Sequence, residues 1–167
     1  MAPDSELYDA ANGASAGAAL NESRRFHGAV QEANGDVVVF AGDLGGAQTA
    51  TVERYDAAAA TFTTVGSLTT ARARAKAVLV GGAALVVGGV TLDFTAGTAT
   101  DVASGELFDL TNAVSESYQL QTTRNTHRVI AMPDGSALVV GGWTGGQTSV
   151  SGLDGVAVSG CEFFLIP

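Results

Sequence analysis

Scarcity is informative in this chain. Among 167 residues there is one cysteine, Cys161, one lysine, Lys76, one tryptophan, Trp143, and three prolines. A single cysteine rules out an internal disulfide. Lying in a strand-like run, it is expected to behave as a small buried apolar residue. Basic residues number 8 against 17 acidic ones, for a net charge of −9. Such a surface repels phosphates and argues against nucleic acid as a partner. The acid is spread along the chain without a block of like charge, so its plain consequence is solubility. Long hydrophobic runs are missing too. The longest uncharged apolar stretch, Ala77–Leu92, "AVLVGGAALVVGGVTL", is shorter than a membrane span and is broken by two Gly-Gly pairs. It reads as two strands around a turn. The opening "MAPDSELYDA" has neither the basic nor the apolar region of a signal peptide.

What is abundant is glycine, 22 residues, together with short runs of valine, leucine and alanine. Apolar residues make up 46% and charged residues 15% of the chain, which sets it apart from disordered polyelectrolytes. Short apolar runs between glycine-rich punctuation predict many short strands joined by tight turns.

The runs recur. "ELYD" at Glu6–Asp9, "ERYD" at Glu53–Asp56, "ELFD" at Glu106–Asp109 and "EFFL" at Glu162–Leu165 align, with glutamates 47, 53 and 56 residues apart. Leu20, Leu68 and Leu120 each stand four positions before an arginine: Arg24, Arg72 and Arg124. Asn34-Gly35, Gly81-Gly82 and Asp134-Gly135 follow as hairpin turns that supply positive φ angles. An apolar run then ends at Ala41-Gly42, Gly88-Gly89 or Gly141-Gly142. Markers in one order at a period of about fifty residues define a structural repeat.

Each repeat holds four strand-like pieces. In the most complete copy these are strand A at 73–80, B at 83–87, C at 105–110 and D at 114–120. A long B–C loop separates the two hairpins. Along the chain the count is C-D, A-B-C-D, A-B-C-D, A-B-C. The segments are a partial unit at 5–20, units at 24–68 and 72–120, and a partial unit at 124–166. A four-stranded meander cannot bury both faces alone, and stacking sheets around an axis solves this. A β-helix is the alternative, but its repeats are much shorter. The glycine pairs are expected where a Cβ would crowd the next sheet or oppose a positive φ. Tyr8, Tyr55 and Phe108 are expected to pack between sheets.

The order arginine, turn, apolar run, double glycine, loop, "ELYD" resembles kelch repeats, above all the bacterial, galactose oxidase-like kind, over nearly the whole chain. The expected fold is therefore all-β: a kelch-like β-propeller portion of about three four-stranded antiparallel blades, its ring incomplete within one chain. Ala41 departs from the double glycine. Phe62 supplies the strand-D aromatic in one copy only, with Tyr118 nearby in another. Two arrangements fit the blade count: a piece of a larger propeller, or a homodimer that closes a six-bladed ring and leaves the final "EFFL" strand surplus.

In such a meander the D–A and B–C loops share one face. The B–C loops, 43–50, 90–104 and 143–160, are rich in Gly, Thr, Ser and Asp, and loops on a rigid scaffold are common binding sites. The candidate binding residues on this face are Arg24, Arg72, Arg124, Asp43, Trp143 and Thr144. Guanidinium forks suit carboxylates. A residue present in every copy, however, points to a structural role, tying down backbone carbonyls or an acid. His27 and His127 share a repeat position filled by Ala75 in the middle copy, and are candidates for a channel. A packing role with one ring nitrogen bonded to backbone is the plainer expectation. Trp143 suits either a platform for a sugar ring or partner, or a plug between blades. Asn21-Glu22-Ser23 matches the short glycosylation sequon.

Galactose oxidase-like enzymes carry a copper site of tyrosines and histidines with a cysteine–tyrosine cross-link. No such set surrounds Cys161 in the sequence, so no catalytic residues, metal or cofactor are assigned. No phosphate loop or zinc spacing is present. The resemblance implies a non-catalytic binding or assembly module for protein or glycan ligands, and a secreted or surface location. An enzyme whose catalytic residues lie largely outside this chain, and a structural scaffold, are the competing expectations.

Overall fold

The computed structural model describes residues 4–145 and 155–165. Every regular element among them is a β-strand. The chain opens with a hairpin, β1 (Asp4–Asp9) and β2 (Gly13–Ala19). A four-stranded antiparallel meander follows: β3 (Gly28–Gln31), β4 (Val37–Asp43), β5 (Gln48–Asp56) and β6 (Thr61–Ser67).

The next sheet has the same plan with an insertion. Strands β7 (Lys76–Val80) and β8 (Ala83–Val87) lead into an extra hairpin, β9 (Val90–Asp93) and β10 (Thr98–Asp101). Then β11 (Ser104–Asp109) and β12 (Ser115–Gln119) complete a sheet of order β12-β11-β8-β7. The third sheet pairs β13 (Arg128–Ala131), β14 (Ala137–Val140) and β17 (Cys161–Phe164). Its B–C connection carries a small hairpin of β15 (Trp143–Thr144) and β16 (Val156–Ala157). Part of the expected 143–160 loop lies outside the described residues. The strand order anticipated from the repeat is the one found, and the long loops contain strands that the repeat pattern did not reveal.

Alternation along the strands explains how the sheets stack. Val38 and Phe40 of β4 and Val52 of β5 pack with Ala84, Val86 and Phe108 of the second sheet. The odd-even partners Leu85 and Val87 face the other way, toward Ala137 and Val139 of the third. A strand that alternates in this fashion buries both faces only when a sheet lies on each side. Phe108 meets Phe40 edge-on at 5.6 Å across the first seam, as expected of the strand-C aromatics. Tyr55 instead stacks on Phe62 of its own sheet, centroids 5.1 Å apart. Tyr8 is a correction: it is 80% exposed, because the N-terminal hairpin has no A–B strands beside it to form a wider face.

The glycine pair acts at the seams. Gly42 N–H donates to the Arg72 carbonyl of the second sheet, and Gly89 N–H to the Arg124 carbonyl of the third. Gly88 has φ +57°, and a Cβ placed there would lie 2.3 Å from the Arg124 oxygen. Ala41 holds the matching position at φ +58°, its methyl buried in the first core cluster. Non-glycine backbone in this region costs about 1–2 kcal/mol, so here the chain trades strain for burial. The hairpin turns differ from the simple expectation. Gly81 and Gly82 both have positive φ, and Gly35 and Gly135 supply it in the other two pairs, but Asn34 and Asp134 do not. Their side-chain oxygens instead accept the N–H of Asp36 and Ser136.

Candidate functional site

A buried arginine is tolerable only if its charge and its five donors are met. Arg72 is fully buried. Its Nη1 donates to the carbonyls of Gly88 (3.1 Å) and Ser104 (2.7 Å), where strands B and C separate. Its Nη2 donates to Ser104 Oγ at 3.0 Å and to Glu106 Oε1 at 2.5 Å. Glu106, the first letter of "ELFD", also accepts the backbone N–H groups of Thr69 and Thr70. One ion pair thereby fastens the loop entering strand A to strand C, and holds apart the ends of B and C.

The same clasp is built three times. Arg24 binds the carbonyls of Ala41 and Thr51 and the Glu53 carboxylate, which accepts Asn21 and Glu22 N–H. Arg124 binds the carbonyls of Gly141 and Gly160 and the Glu162 carboxylate, which accepts Gln121 and Thr122 N–H. The arginines offered as surface ligands are therefore 7%, 0% and 1% exposed for Arg24, Arg72 and Arg124. Their donors are turned inward, and the loop face does not present them. For Glu106, burial opposes the charge. Hydrogen bonds from Ser115 and Thr69, with the Arg72 guanidinium, outweigh it and hold the carboxyl below its ordinary range.

The other candidates are also spoken for. Asp43 is buried, accepting Arg25 Nε at 2.7 Å and Gly45 N–H at 2.8 Å. Trp143 is half-buried and its backbone bridges to Asn125 in both directions. Thr144 shares a hydroxyl contact with Thr123 at 2.7 Å. His27 is exposed, whereas His127 is 1% exposed, so the two are not equivalent. Neither His127 nitrogen has a hydrogen-bond partner among the described residues, contrary to the expected backbone bond. Burial first, then the nearby cations Arg124, Lys76 and Arg128, push its pKa down to about 4, so the ring is neutral. Cys161 is exposed, which corrects the expectation of a buried thiol.

Antiparallel topology puts the D–A and B–C connections at one end of all three sheets. There the loops are sewn together across the seams. Gln48 Oε1 accepts Leu92 N–H at 2.9 Å, joining the first loop to the second. Asp101 accepts from Asn125 Nδ2 at 2.6 Å and Gly145 N–H at 3.0 Å, joining the second to the third. Two residues after each clasp arginine, Phe26, Arg74 and Thr126 all adopt φ near +55 to +60°. Half-exposed Phe26 lies between the Arg25 and Arg74 guanidinium groups, 5.5 and 5.4 Å from its ring centre. Strained backbone that presents an aromatic flanked by cations is a feature the surrounding structure must hold in place.

Sequence reasoning singled out the arginines and the kind of partner, backbone carbonyls or an acid, but did not name the glutamates. The signal was present: each complete copy holds one such arginine and one such glutamate, and two opposite charges that recur together can be buried together. The Phe26 platform had no repeat signature, since its position holds Phe, Arg and Thr in turn. Comparison with known proteins found no matching protein-family model and no similar curated protein.

Proposed function

We propose that this chain is a portion of a kelch-like propeller serving as a non-catalytic binding or assembly module, with protein or glycan ligands at the loop face. The observation that carries this reading is the stitching of three successive B–C loops by Gln48–Leu92 and Asp101–Asn125/Gly145 bonds. Loops cross-linked in this way form a continuous pre-organised surface, and pre-organisation lowers the entropy cost of capture. On that surface Phe26 and Phe94 are exposed, at 50% and 38%. Exposed rings beside Gly, Thr and Asp suit sugar rings and peptide side chains alike.

The clasps support the same reading, because they commit the repeated ionisable pairs to holding sheets. An enzyme completed by residues outside this chain, and a pure scaffold, are the competing readings. Glycan and peptide arrays test them. The binding reading expects a specific captured class that is lost in Phe26→Ala or Phe94→Ala and retained in Tyr118→Ala, a change on strand β12. Blank arrays with an oxidase or hydrolase activity would favour the enzyme, and blank arrays without activity the scaffold.

A further inference from the structure

Three non-glycine residues hold the same strained position in successive repeats: Phe26 (φ +56°), Arg74 (φ +60°) and Thr126 (φ +55°). Each stands in the turn that leads into an edge strand, β3, β7 or β13. These three strands run beside one another although each belongs to a different sheet. Arg74 N–H donates to the Phe26 carbonyl at 2.8 Å, which joins the first two turns across their seam. Glycine would adopt this φ without strain. The chain keeps side chains there instead, and their type changes from phenyl to guanidinium to hydroxyl. A strained backbone held constant while its side chain varies suits a position that presents a group to a ligand.

Positive charge gathers at the same place. Of the 8 basic residues, Arg24, Arg72 and Arg124 are held in the clasps and Arg54 by Glu32. The others, Arg25, Arg74, Lys76 and Arg128, all follow closely on a clasp arginine in sequence. Arg25 and Arg74 approach one phenyl ring, that of Phe26, to 5.5 and 5.4 Å from its centre. Asp43 meets Arg25 through Nε alone, so both Nη groups of Arg25 can take another anion. Lys76, on β7 just beyond Arg74, meets no acid among the described residues. The Phe26 ring attracts each guanidinium and fixes where it stands. The two guanidinium groups still repel each other, and an anion between them removes that cost. The seam that carries them lies between the first and second sheets, both among the described residues.

We propose that Arg25, Phe26 and Arg74 form a carboxylate clamp for an acidic glycan, one built from uronic acid residues. This deepens the binding-module reading above and rests on it. The sugar carboxylate accepts hydrogen bonds from the two guanidinium groups, a pairing that suits their planar forks. The apolar C–H face of the sugar packs on the half of Phe26 that is open to solvent. At the matching position of the third sheet Thr126 is exposed, its hydroxyl donating to Asn125 Oδ1 at 2.8 Å, and offers the sugar hydroxyls a polar neighbour. A uronic acid carries carboxylate, apolar face and hydroxyls on one rigid ring. A glutamate side chain brings the carboxylate alone and gives up rotamer freedom to deliver it. The turn residues thus set which ligand the loop face takes, while the clasps beneath them hold the turns.

The test is calorimetric titration of the full chain with a galacturonic acid trisaccharide, its methyl ester and a triglutamate peptide. Expected are binding of the acid form, affinity that falls as salt is raised, and a dissociation constant at least about tenfold higher for the ester. Arg74→Gln and Arg25→Gln should each weaken binding of the acid form by a similar factor, with melting temperatures measured alongside. The ester comparison uses the parent chain, so it decides the matter even where a variant unfolds. Equal affinity for acid and ester, or no binding of the acid form, overturns the proposal. So does an affinity that neither arginine variant changes in folded protein. Triglutamate bound as tightly as the trisaccharide, with the same dependence on Arg74, overturns the glycan assignment in favour of acidic peptides. Arrays separate the two levels. If the trisaccharide fails but an array ligand is captured and lost in Phe94→Ala, only the clamp fails. If the arrays are blank as well, the binding-module reading fails with it.

Discussion

Arg72 Nη2 lies 2.5 Å from Glu106 Oε1, and both side chains are closed off from solvent. A pair at this depth is not a simple source of stability, since removing two ions from water costs several kcal/mol each. Its value lies in what else it satisfies: two strand-end carbonyls and two backbone N–H groups that would otherwise be buried unmet. The pair makes one geometry of strands A, B and C far better than its neighbours.

The three clasps are unequal, and truncation should grade them. Arg72→Met leaves a fully buried carboxylate and should cost about 3–5 kcal/mol in urea unfolding. Arg124→Met should cost less, because Glu162 retains 7% exposure and can recruit water more easily. Equal costs would show that burial of the acid does not set the penalty.

The seam glycine makes a steric prediction. In Gly88→Ala the new methyl meets the Arg124 carbonyl of the next sheet and keeps a φ of +57°. The backbone term alone is about 1–2 kcal/mol. Gly45→Ala, also at positive φ but with open space around it, isolates that term. Thermal unfolding should therefore rank Gly88→Ala well below Gly45→Ala, and similar values would remove the close approach from the account.

Acid should weaken the fold through His127. Its folded pKa, about 4, is below the ordinary value of 6.5. Between these values the unfolded chain binds a proton that the folded chain does not. Stability is therefore full above pH 6.5 and falls as pH drops toward 4, by up to about 3 kcal/mol. Glu106 adds a further loss only at lower pH, because its folded pKa is depressed below 4.5. Urea titrations at pH 7 and pH 5 should show the drop in the parent and a smaller one in His127→Gln. An unchanged slope would place the ring's charge elsewhere.

Phe26 separates binding from stability. Its φ of +56° suits glycine better than phenylalanine. In Phe26→Gly the melting temperature should hold or rise while ligand capture at the loop face is lost. A fall in melting temperature with capture intact would make the ring a packing element.

The strand order could be read from the sequence because the glycine pairs and the "ELYD" strands are local, periodic signals. The core faces follow from alternation in runs such as Val37–Phe40. What the sequence did not disclose depends on contacts between distant segments. Asp101 and Gln48 gain their roles from loops that meet only after the sheets stack. Cys161 and Tyr8 look like interior residues by type, but they lie on terminal strands with no neighbour on one side. The His127 ring is buried while the matching His27 is not, a difference set by which sheets flank each of them.

The central claim is that arginine and glutamate act as one unit in each of the three clasps. A double-mutant cycle on Arg72→Met and Glu106→Gln, read by urea unfolding, tests it most directly. The account predicts that the double variant loses much less than the two single losses combined, with a coupling energy above about 1 kcal/mol. Losses that simply add would contradict it.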